Sequence, residues 1–202
     1  LANKGGGFEV LGNEPVRFDG KGRTRGIELL YQQKFNGKLY AIAALTVYKS
    51  EFTNGSSDAH QPSAWDNGQL ISLTGGYKFG RNWEISSRCR FLGKSPYAAV
   101  DLDATLATYP SVIRDYSTLG QNRLNSFQQL DLRVDKKWNF ERFSLDVYLD
   151  IQNALAATSP SEPRYGLDRD DQGNVAEPKR LVIVNTNETG SVLPSLGIVV
   201  NF

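Results

Sequence analysis

Alternation of apolar and polar residues runs through most of this chain, in long stretches that end at turn residues. In the stretch GIELLYQQKF, Ile27, Leu29 and Tyr31 share one face, whereas Glu28 and Gln32 share the other. A period of two residues is the pattern of a β-strand whose two faces meet different surroundings. Helical periodicity is almost absent. The pattern therefore predicts an all-β protein.

Seven stretches carry this alternation, and turn or loop residues separate them. They are GIELLYQQKF from residue 26, LYAIAALTVYKSEF from 39, QLISLTGGYKF from 69, WEISSRCRFLG from 83, FQQLDLRVDKKW from 127, RFSLDVYLDIQN from 142 and LPSLGIVVNF from 193. The first strand is expected to begin near Thr24. Most of the stretches have about ten to twelve residues, whereas globular strands most often have about 5 to 6 and a tilted membrane-spanning strand needs about 9 to 11. The lengths favour strands that cross a membrane.

The fifth and sixth strands predict a hairpin with a defined register. One register sets Lys137 opposite Asp146 and Arg133 opposite Asp150. Pairs of opposite charge across two strands stabilise a sheet. This register is therefore the one we expect.

The connections between strands alternate between short and long. Short turns at 36–38, 80–82 and 139–141 alternate with polar loops at 53–68, 94–126 and 154–192. An up-and-down sheet puts every second connection at the same end, so the long loops share one end. Outer-membrane barrels have this asymmetry, with short periplasmic turns and long extracellular loops.

Aromatic residues concentrate beside the short turns. A ring of them at one level is what a membrane interface favours, because the rings are amphipathic. The seventh strand runs toward the same end, so the terminal aromatic joins the ring. The expected members are Phe35, Tyr40, Phe79, Trp83, Trp138, Phe140, Phe143 and Phe202.

Two other folds fit the alternation. A soluble β-sandwich or lipocalin-like barrel alternates as well, and it predicts an apolar face buried within the molecule. Seven strands in lipid would leave two unpaired edges, and single-chain bacterial barrels have an even strand number. We therefore expect further strands upstream, with residues 1–23 as the remainder of an extracellular loop. A small complete outer-membrane barrel, an adhesin or lipid-modifying enzyme, instead predicts a strand within 1–23 that pairs with the last strand.

Composition excludes some classes of function. The formal net charge of the 202 residues is +1, so the chain has no electrostatic footprint for nucleic acid. No apolar stretch approaches the ~20 residues of a membrane helix. The single cysteine, Cys89, excludes an internal disulfide framework, and it falls on the apolar face as a small packing residue. The chain contains no Met, and LANKGGGFEV has no signal-peptide pattern. These observations predict either a processed chain or a piece of a longer polypeptide, and we favour the second.

Few residues are candidates for site chemistry. His60 is the only histidine, which leaves no histidine cluster for a metal and no Ser-His-Asp triad within the chain. The stretch LDRDDQGNV approaches the spacing of a calcium loop, but Gln172 and Lys179 stand where ligands are needed. We expect a solvated loop tip there, on a hairpin extending from the barrel.

Two groups of residues are candidates for contact with a plug or ligand. Clustered charges on the polar faces are expected to form a hydrogen-bonded wall rather than a binding site, and loop aromatics are candidates for substrate contact. The charges are Arg88, Arg90, Asp131, Arg133, Asp146 and Asp150, and the aromatics are Trp65, Tyr97, Tyr109 and Tyr116.

The order of these features resembles the C-terminal barrel strands of TonB-dependent outer-membrane receptors, particularly those of Bacteroidota. The resemblance covers nearly all of the chain. Its most specific pieces are the strand start Gly26-Ile27-Glu28, the strand end Ser50-Glu51-Phe52, the stretch GGYKFGRNW, the strand end Ile151-Gln152-Asn153 and the terminal Phe202.

The resemblance implies an antiparallel up-and-down transmembrane β-barrel of about 22 strands, occluded by an N-terminal plug. Residues 1–202 would form the C-terminal seven or so strands of this single barrel domain, without the plug or the upstream strands. The implied function is import of a scarce nutrient of the siderophore, vitamin, glycan or peptide class. The family is a transporter in the bacterial cell outer membrane and not an enzyme, so no catalytic, cofactor or metal residue is carried over.

The implied partners are outer-membrane lipid, the plug and upstream strands of the same polypeptide, and TonB acting through the plug. A surface lipoprotein that caps the receptor is a further partner that the resemblance allows.

Overall fold

The computed structural model describes residues 19–53, 59–184 and 189–202. Its main feature is one large antiparallel sheet in which each long strand pairs with the next along the chain. The strands are β1 (Lys21–Gln33), β2 (Leu39–Thr53), β3 (Gln69–Phe79), β4 (Trp83–Leu92), β5 (Phe127–Asn139), β6 (Ser144–Gln152) and β7 (Leu193–Asn201). The short strand Gln61–Pro62 also pairs with β2. The seven alternating strands are confirmed, and the described part of the chain is mostly β.

The sheet is open. In the described ranges, β1 pairs only with β2, and β7 pairs only with β6. β1 begins at Lys21, earlier than the expected start near Thr24, because Lys21–Arg23 continue the pairing with the loop end of β2. The loop remainder and the additional strand were predicted within residues 1–23, of which 1–18 lie outside the described residues and 21–23 belong to β1.

The predicted hairpin register is confirmed. β5 and β6 pair with Lys137 opposite Asp146 and Arg133 opposite Asp150. Because side chains alternate between faces, this register puts all four charges on one face of the sheet.

The two faces of the sheet differ sharply in polarity. On the apolar face, cross-strand pairing puts Leu29, Leu45, Ile71 and Phe91 in one row. On the polar face, a typical row is Ser86, Arg133, Asp150 and Ser195. Each strand therefore contributes to both surfaces, as its period of two predicts.

The apolar face is exposed, unlike that of a soluble sandwich. Ile27, Leu196 and Ile198 keep 69%, 75% and 66% of their surface accessible. The buried hydrophobic side chains of the described residues, Phe52, Ala98 and Leu119, lie at the long-loop end. The soluble alternatives predicted an apolar face buried within the molecule. In the described part of the molecule, the sheet instead leaves this face exposed.

Tight turns close the other end of the sheet. Between β3 and β4, Arg81 and Asn82 have φ values of 63° and 59°. Two consecutive left-handed residues suit the twist of a two-stranded hairpin. Between β1 and β2, Gly37 has a φ of 93°, and the Asn36 side chain accepts hydrogen bonds from the amides of Lys38 and Leu39.

The long loops contain short regular elements. They are α1 (Leu102–Thr108), the 3-10 helix Tyr116–Thr118 and the paired strands Pro96–Tyr97 with Asn122–Arg123, Ala99–Val100 with Arg114–Asp115, and Tyr165–Leu167 with Leu181–Ile183. Within the described ranges, no helix has the length and apolar character needed to cross a membrane.

Candidate functional site

The polar face surrounds a cavity of about 1000 Å³, which we call the trough. Six basic and five acidic side chains line it, so its charge is nearly balanced. They are Lys38, Lys78, Arg88, Arg90, Arg133 and Lys137, with Glu84, Asp131, Asp135, Asp146 and Asp150. The register brings all six charged residues predicted from the sequence into this one cavity.

Arg133 lies at the centre of one group of contacts in the trough. Its Nε and Nη2 donate to the carboxylate of Asp135 over distances of 2.6–3.1 Å. Its guanidinium carbon lies 3.7 Å from the centre of the Tyr148 ring. The cross-strand neighbour Asp150 forms no ion pair with it, because the guanidinium turns along β5 and stacks on the ring instead.

Asp131 joins three strands. Its Oδ1 accepts hydrogen bonds from Gln129 Nε2 at 2.8 Å and from the amide of Asn153 at 2.9 Å. Arg90 Nη2 donates to Gln129 Oε1 at 2.8 Å and lies 4.0 Å from Asp131 Oδ2. These contacts agree with the expectation of a hydrogen-bonded polar wall.

Asp146 and Arg88 are less engaged. Asp146 Oδ1 is buried and has no hydrogen-bond partner in the described structure. Arg88 faces Asp131 across the β4–β5 pair, yet it has no hydrogen bond or ion pair with another described residue. Asp146 Oδ1 and the Arg88 guanidinium are therefore among the groups of the trough that remain open to a further contact.

Tyr40 belongs to the trough and not to the aromatic ring. Its hydroxyl donates to Glu84 Oε1 at 2.7 Å, and Lys78 Nζ lies 3.3 Å from Glu84 Oε2. Its ring covers Gly76, where a β-carbon would clash with it. The prediction for Tyr40 is therefore wrong, because the β1–β2 register puts it on the face of Gln32.

The other aromatic side chains cluster at the short-turn end. The rings of Phe140 and Phe143 lie 4.5 Å apart, and Phe202 lies 6.4 Å from Phe143. Phe79 and Trp83 stack at 6.4 Å. Cations accompany the ring: Lys78 Nζ lies 4.9 Å from the Phe35 ring, and Lys136 Nζ lies 5.3 Å and 5.4 Å from Trp83 and Trp138. All of the predicted aromatics thus lie at one end of the sheet, and Tyr40 differs from the others in pointing into the trough.

At the opposite end, the first two long loops fold against each other in what we call the loop cap, residues 59–68 and 94–126. Asp66, only 3% exposed, is its hub. Arg123 Nη2 donates to Asp66 Oδ2 at 2.7 Å, and Arg123 Nη1 donates to the carbonyls of Asp66 and Lys94. The amide of Ser50 donates to Asp66 Oδ1 at 2.8 Å, which anchors the cap to β2.

Hydrogen bonds between side chains and nearby backbone groups hold the rest of the loop cap. The Asp101 carboxylate accepts the amide of Ala104 at the start of α1, and buried Thr105 exchanges hydrogen bonds with Ile113. Asp115 accepts hydrogen bonds from the hydroxyl and the amide of Ser117, and both lower the pKa of the Asp115 carboxyl below its ordinary value. These contacts keep the loop cap ordered without a large apolar core.

The third long loop forms the expected hairpin. Asp168 pairs with Arg180 across it at 2.6 Å. At its tip, Asp170 accepts the amides of Asn174 and Gln172, which lower the pKa of the Asp170 carboxyl. The two carboxylates thus stabilise the hairpin and the turn at its tip. Across the described ranges, no group of three or more His, Cys, Asp or Glu residues is placed to hold a metal ion.

The loop aromatics separate into two groups. Tyr116 packs against the buried hydrophobic residues of the loop cap, and Tyr97 lines a cavity of about 110 Å³ between the second and third loops. Arg114 and Glu162, which form an ion pair, also line this cavity. Trp65 and Tyr109 are exposed, so they are the two aromatics available to a ligand from outside.

The two remaining predicted residues lie apart from these sites. His60 is exposed in the first long loop. Cys89 lies on the apolar face between Leu73 and Leu130, as expected for a packing residue.

Sequence reasoning missed the Asp66–Arg123 hub. Its two residues are separated by 57 positions and lie in segments without periodicity. The only local signal is a lone acid and a lone base in otherwise neutral stretches of their loops.

Comparison with known proteins gave no match. No family model matches the chain, and neither curated proteins nor solved structures give a match.

Proposed function

We propose that this chain forms part of the barrel wall and extracellular loops of a TonB-dependent outer-membrane receptor. The observation that carries the proposal is the different polarity of the two faces of the sheet: charged side chains line the trough on one face, whereas the other face is apolar and exposed. A membrane barrel needs this arrangement, because its outside contacts lipid and its inside contacts water.

Water is a poor solvent for the apolar face. Exposed patches on soluble monomers rarely exceed a few hundred Å², and this face spans seven strands of large aliphatic and aromatic side chains. Hydrocarbon solvates the same surface at no cost. Lipid is therefore the environment that the surface fits best.

The two ends of the sheet support an orientation. The aromatic ring at the short turns suits the periplasmic interface, and the loop cap suits the extracellular side. In this orientation Trp65 and Tyr109 meet the nutrient before it reaches the trough, and the trough wall faces the plug.

The open edges of β1 and β7 support further strands in the complete barrel. Unpaired backbone groups in hydrocarbon cost several kcal/mol each, so a spanning sheet must close. In the proposed receptor, upstream strands of the same polypeptide supply the closure, and TonB pulls on the plug from the periplasm. This segment binds and guides the nutrient and performs no covalent chemistry.

The test is to extract the native protein from outer membranes in detergent and to map its peptides. We expect peptides that continue upstream of Leu1 into a much larger polypeptide, and we expect this polypeptide to bind an immobilised periplasmic domain of TonB. Recovery in the soluble fraction would contradict the membrane location. A membrane protein that fails to bind TonB would contradict the receptor function.

A further inference from the structure

The apolar face changes character abruptly at its long-loop end. Ile27 lies opposite Val47 in the last apolar row between β1 and β2. The next row of the same face sets Arg25 opposite Lys49, and the row after that sets Arg23 opposite Glu51. A basic edge therefore adjoins the apolar surface directly.

The charges of this edge do not balance. Glu51 Oε1 lies 2.6 Å from Lys49 Nζ, and Glu51 Oε2 lies 2.8 Å from Arg23 Nη2. Arg25 has no hydrogen bond or ion pair with any described residue. The one carboxylate thus pairs with two of the three cations and leaves Arg25 unpaired among the described residues. Arg25 also lies directly opposite Lys49, and like charges directly opposite each other destabilise a sheet. The surplus of positive charge calls for an anion from outside the chain.

A groove of about 430 Å³ continues the edge across β2, β3 and β4. Val47 and Phe91 of the apolar face line it, and Lys94 and Arg123 contribute the basic groups. Arg123 is committed to Asp66, whereas Lys94 is exposed and its amine has no partner in the described structure. The groove thus joins an apolar floor to an available cation.

We propose that the basic rim, Arg23, Arg25, Lys49 and Lys94, binds the phosphate groups of a phosphorylated lipid in the outer leaflet. The lipid's acyl chains lie on the apolar rows below, beginning with Ile27 and Val47. The inference rests on the proposed function, because it needs the apolar face in the bilayer and the loops outside.

The chemistry of the rim selects this ligand. Guanidinium groups bind phosphate in a bidentate manner, and each basic side chain near an anionic membrane surface strengthens binding. A ligand that fills the basic row and the apolar rows together must carry negative charge at one end and hydrocarbon at the other. A phosphorylated lipid has both.

Binding to detergent-purified full-length protein tests the proposal, with phosphorylated lipid A as the probe. The double variant Arg25→Gln, Lys49→Gln is expected to bind lipid A about 10- to 30-fold more weakly than the unmodified protein. The control variant Lys34→Gln, Arg142→Gln removes two exposed charges from the short-turn end and is expected to bind normally.

Two further probes identify the ligand. Dephosphorylated lipid A is expected to bind the unmodified protein about as weakly as lipid A binds the double variant. Millimolar inorganic phosphate is expected to leave lipid A binding unchanged, and effective competition by it would replace the lipid with a free anion and overturn the proposal.

Equal binding by the unmodified protein and the double variant also overturns the proposal. Circular dichroism and heat-dependent gel mobility verify that each variant is folded. The receptor proposal is judged separately by location and TonB binding, so a TonB-binding membrane protein with unchanged lipid affinity refutes this inference alone.

Discussion

Ala43 and Ala44 provide a matched test of which face meets lipid. They are neighbours in β2, they are both half-buried, and they lie on opposite faces of the sheet. Ala43 lies between Tyr31 and Leu73 on the apolar face. Replacing each alanine in turn by arginine therefore introduces the same charge at the same height on different surfaces.

The structure sets the expected cost. The apolar face of β2 extends from Leu39 to Val47. At ~3.4 Å per residue this is about 27 Å along the strand, and a tilt of ~40° would leave about 21 Å across a bilayer, close to the ~25 Å apolar band of transmembrane β-barrels. Ala43 is at the middle of this span. Arginine costs about 2–4 kcal/mol at the midplane, so Ala43→Arg should lower the free energy of unfolding by that amount and Ala44→Arg by less than about 1 kcal/mol.

Ala43→Arg would also lower the stability if Ala43 lay in a packed protein core. A third variant therefore distinguishes a lipid environment from a protein core. Ala43→Phe adds apolar volume. Overpacking a core costs about 1–3 kcal/mol, whereas a larger apolar side chain facing fluid lipid needs no rearrangement. We therefore expect Ala43→Phe to leave the stability unchanged or to raise it.

The assay is denaturant unfolding of the complete protein in phosphatidylcholine vesicles, followed by tryptophan fluorescence. A greater loss of stability from Ala44→Arg than from Ala43→Arg would refute the assignment of the faces. A loss above about 1 kcal/mol from Ala43→Phe would show that protein covers the apolar face.

Three further predictions concern the loop cap and the trough. Asp66→Asn removes the negative charge and one of the two oxygens that accept from Ser50 and Arg123, so it should destabilise the loop cap by about 1–3 kcal/mol, seen as faster hydrogen exchange in residues 61–67. Gly197→Ala forces the Tyr148 ring aside and should cost about 1–3 kcal/mol in thermal unfolding. Asp115 has its pKa lowered from 3.8, so its support of the 3-10 helix should be complete well above pH 3.8 and lost as the pH falls through the lowered value, seen by exchange of the helix amides.

Each of these has a result that contradicts it. Exchange as slow in Asp66→Asn as in the exposed control Arg142→Gln would mean that the hub does not hold the loop cap. An unchanged unfolding temperature for Gly197→Ala would mean that the Tyr148 ring moves freely. A pH dependence that persists in Asp115→Asn would assign it to another group.

The sheet could be predicted from the sequence because each strand has two chemically different faces. A shift of one residue would move the four charged side chains of β5 that line the trough to the apolar face, so alternation and the facing charges of Lys137 and Asp146 fix the register. The trough follows from that register, since the polar positions of consecutive strands must share a face.

The partners of individual side chains could not be predicted from the alternation of apolar and polar residues. Arg133 pairs with Asp135 rather than with Asp150 because its guanidinium stacks on the Tyr148 ring. The sequence pattern does not distinguish between these two carboxylates. The error over Tyr40 arose because nearness to a turn predicts height along the strand but not the face. The basic rim could have been predicted from the sequence. Arg25 lies two positions before Ile27, and Lys49 lies two positions after Val47, so strand alternation puts both cations on the apolar face.

The most direct test of the account is the environment of Cys89, which lies in mid-strand on the apolar face. A nitroxide on this thiol, in the native protein reconstituted into vesicles, reports collisions with oxygen and with a water-soluble nickel chelate. We predict frequent collisions with oxygen and few with the chelate, and the reverse for a label at Arg88→Cys in a Cys89→Ser background. Frequent chelate collisions at Cys89, or a label shielded from both reagents, would contradict a lipid-facing barrel wall.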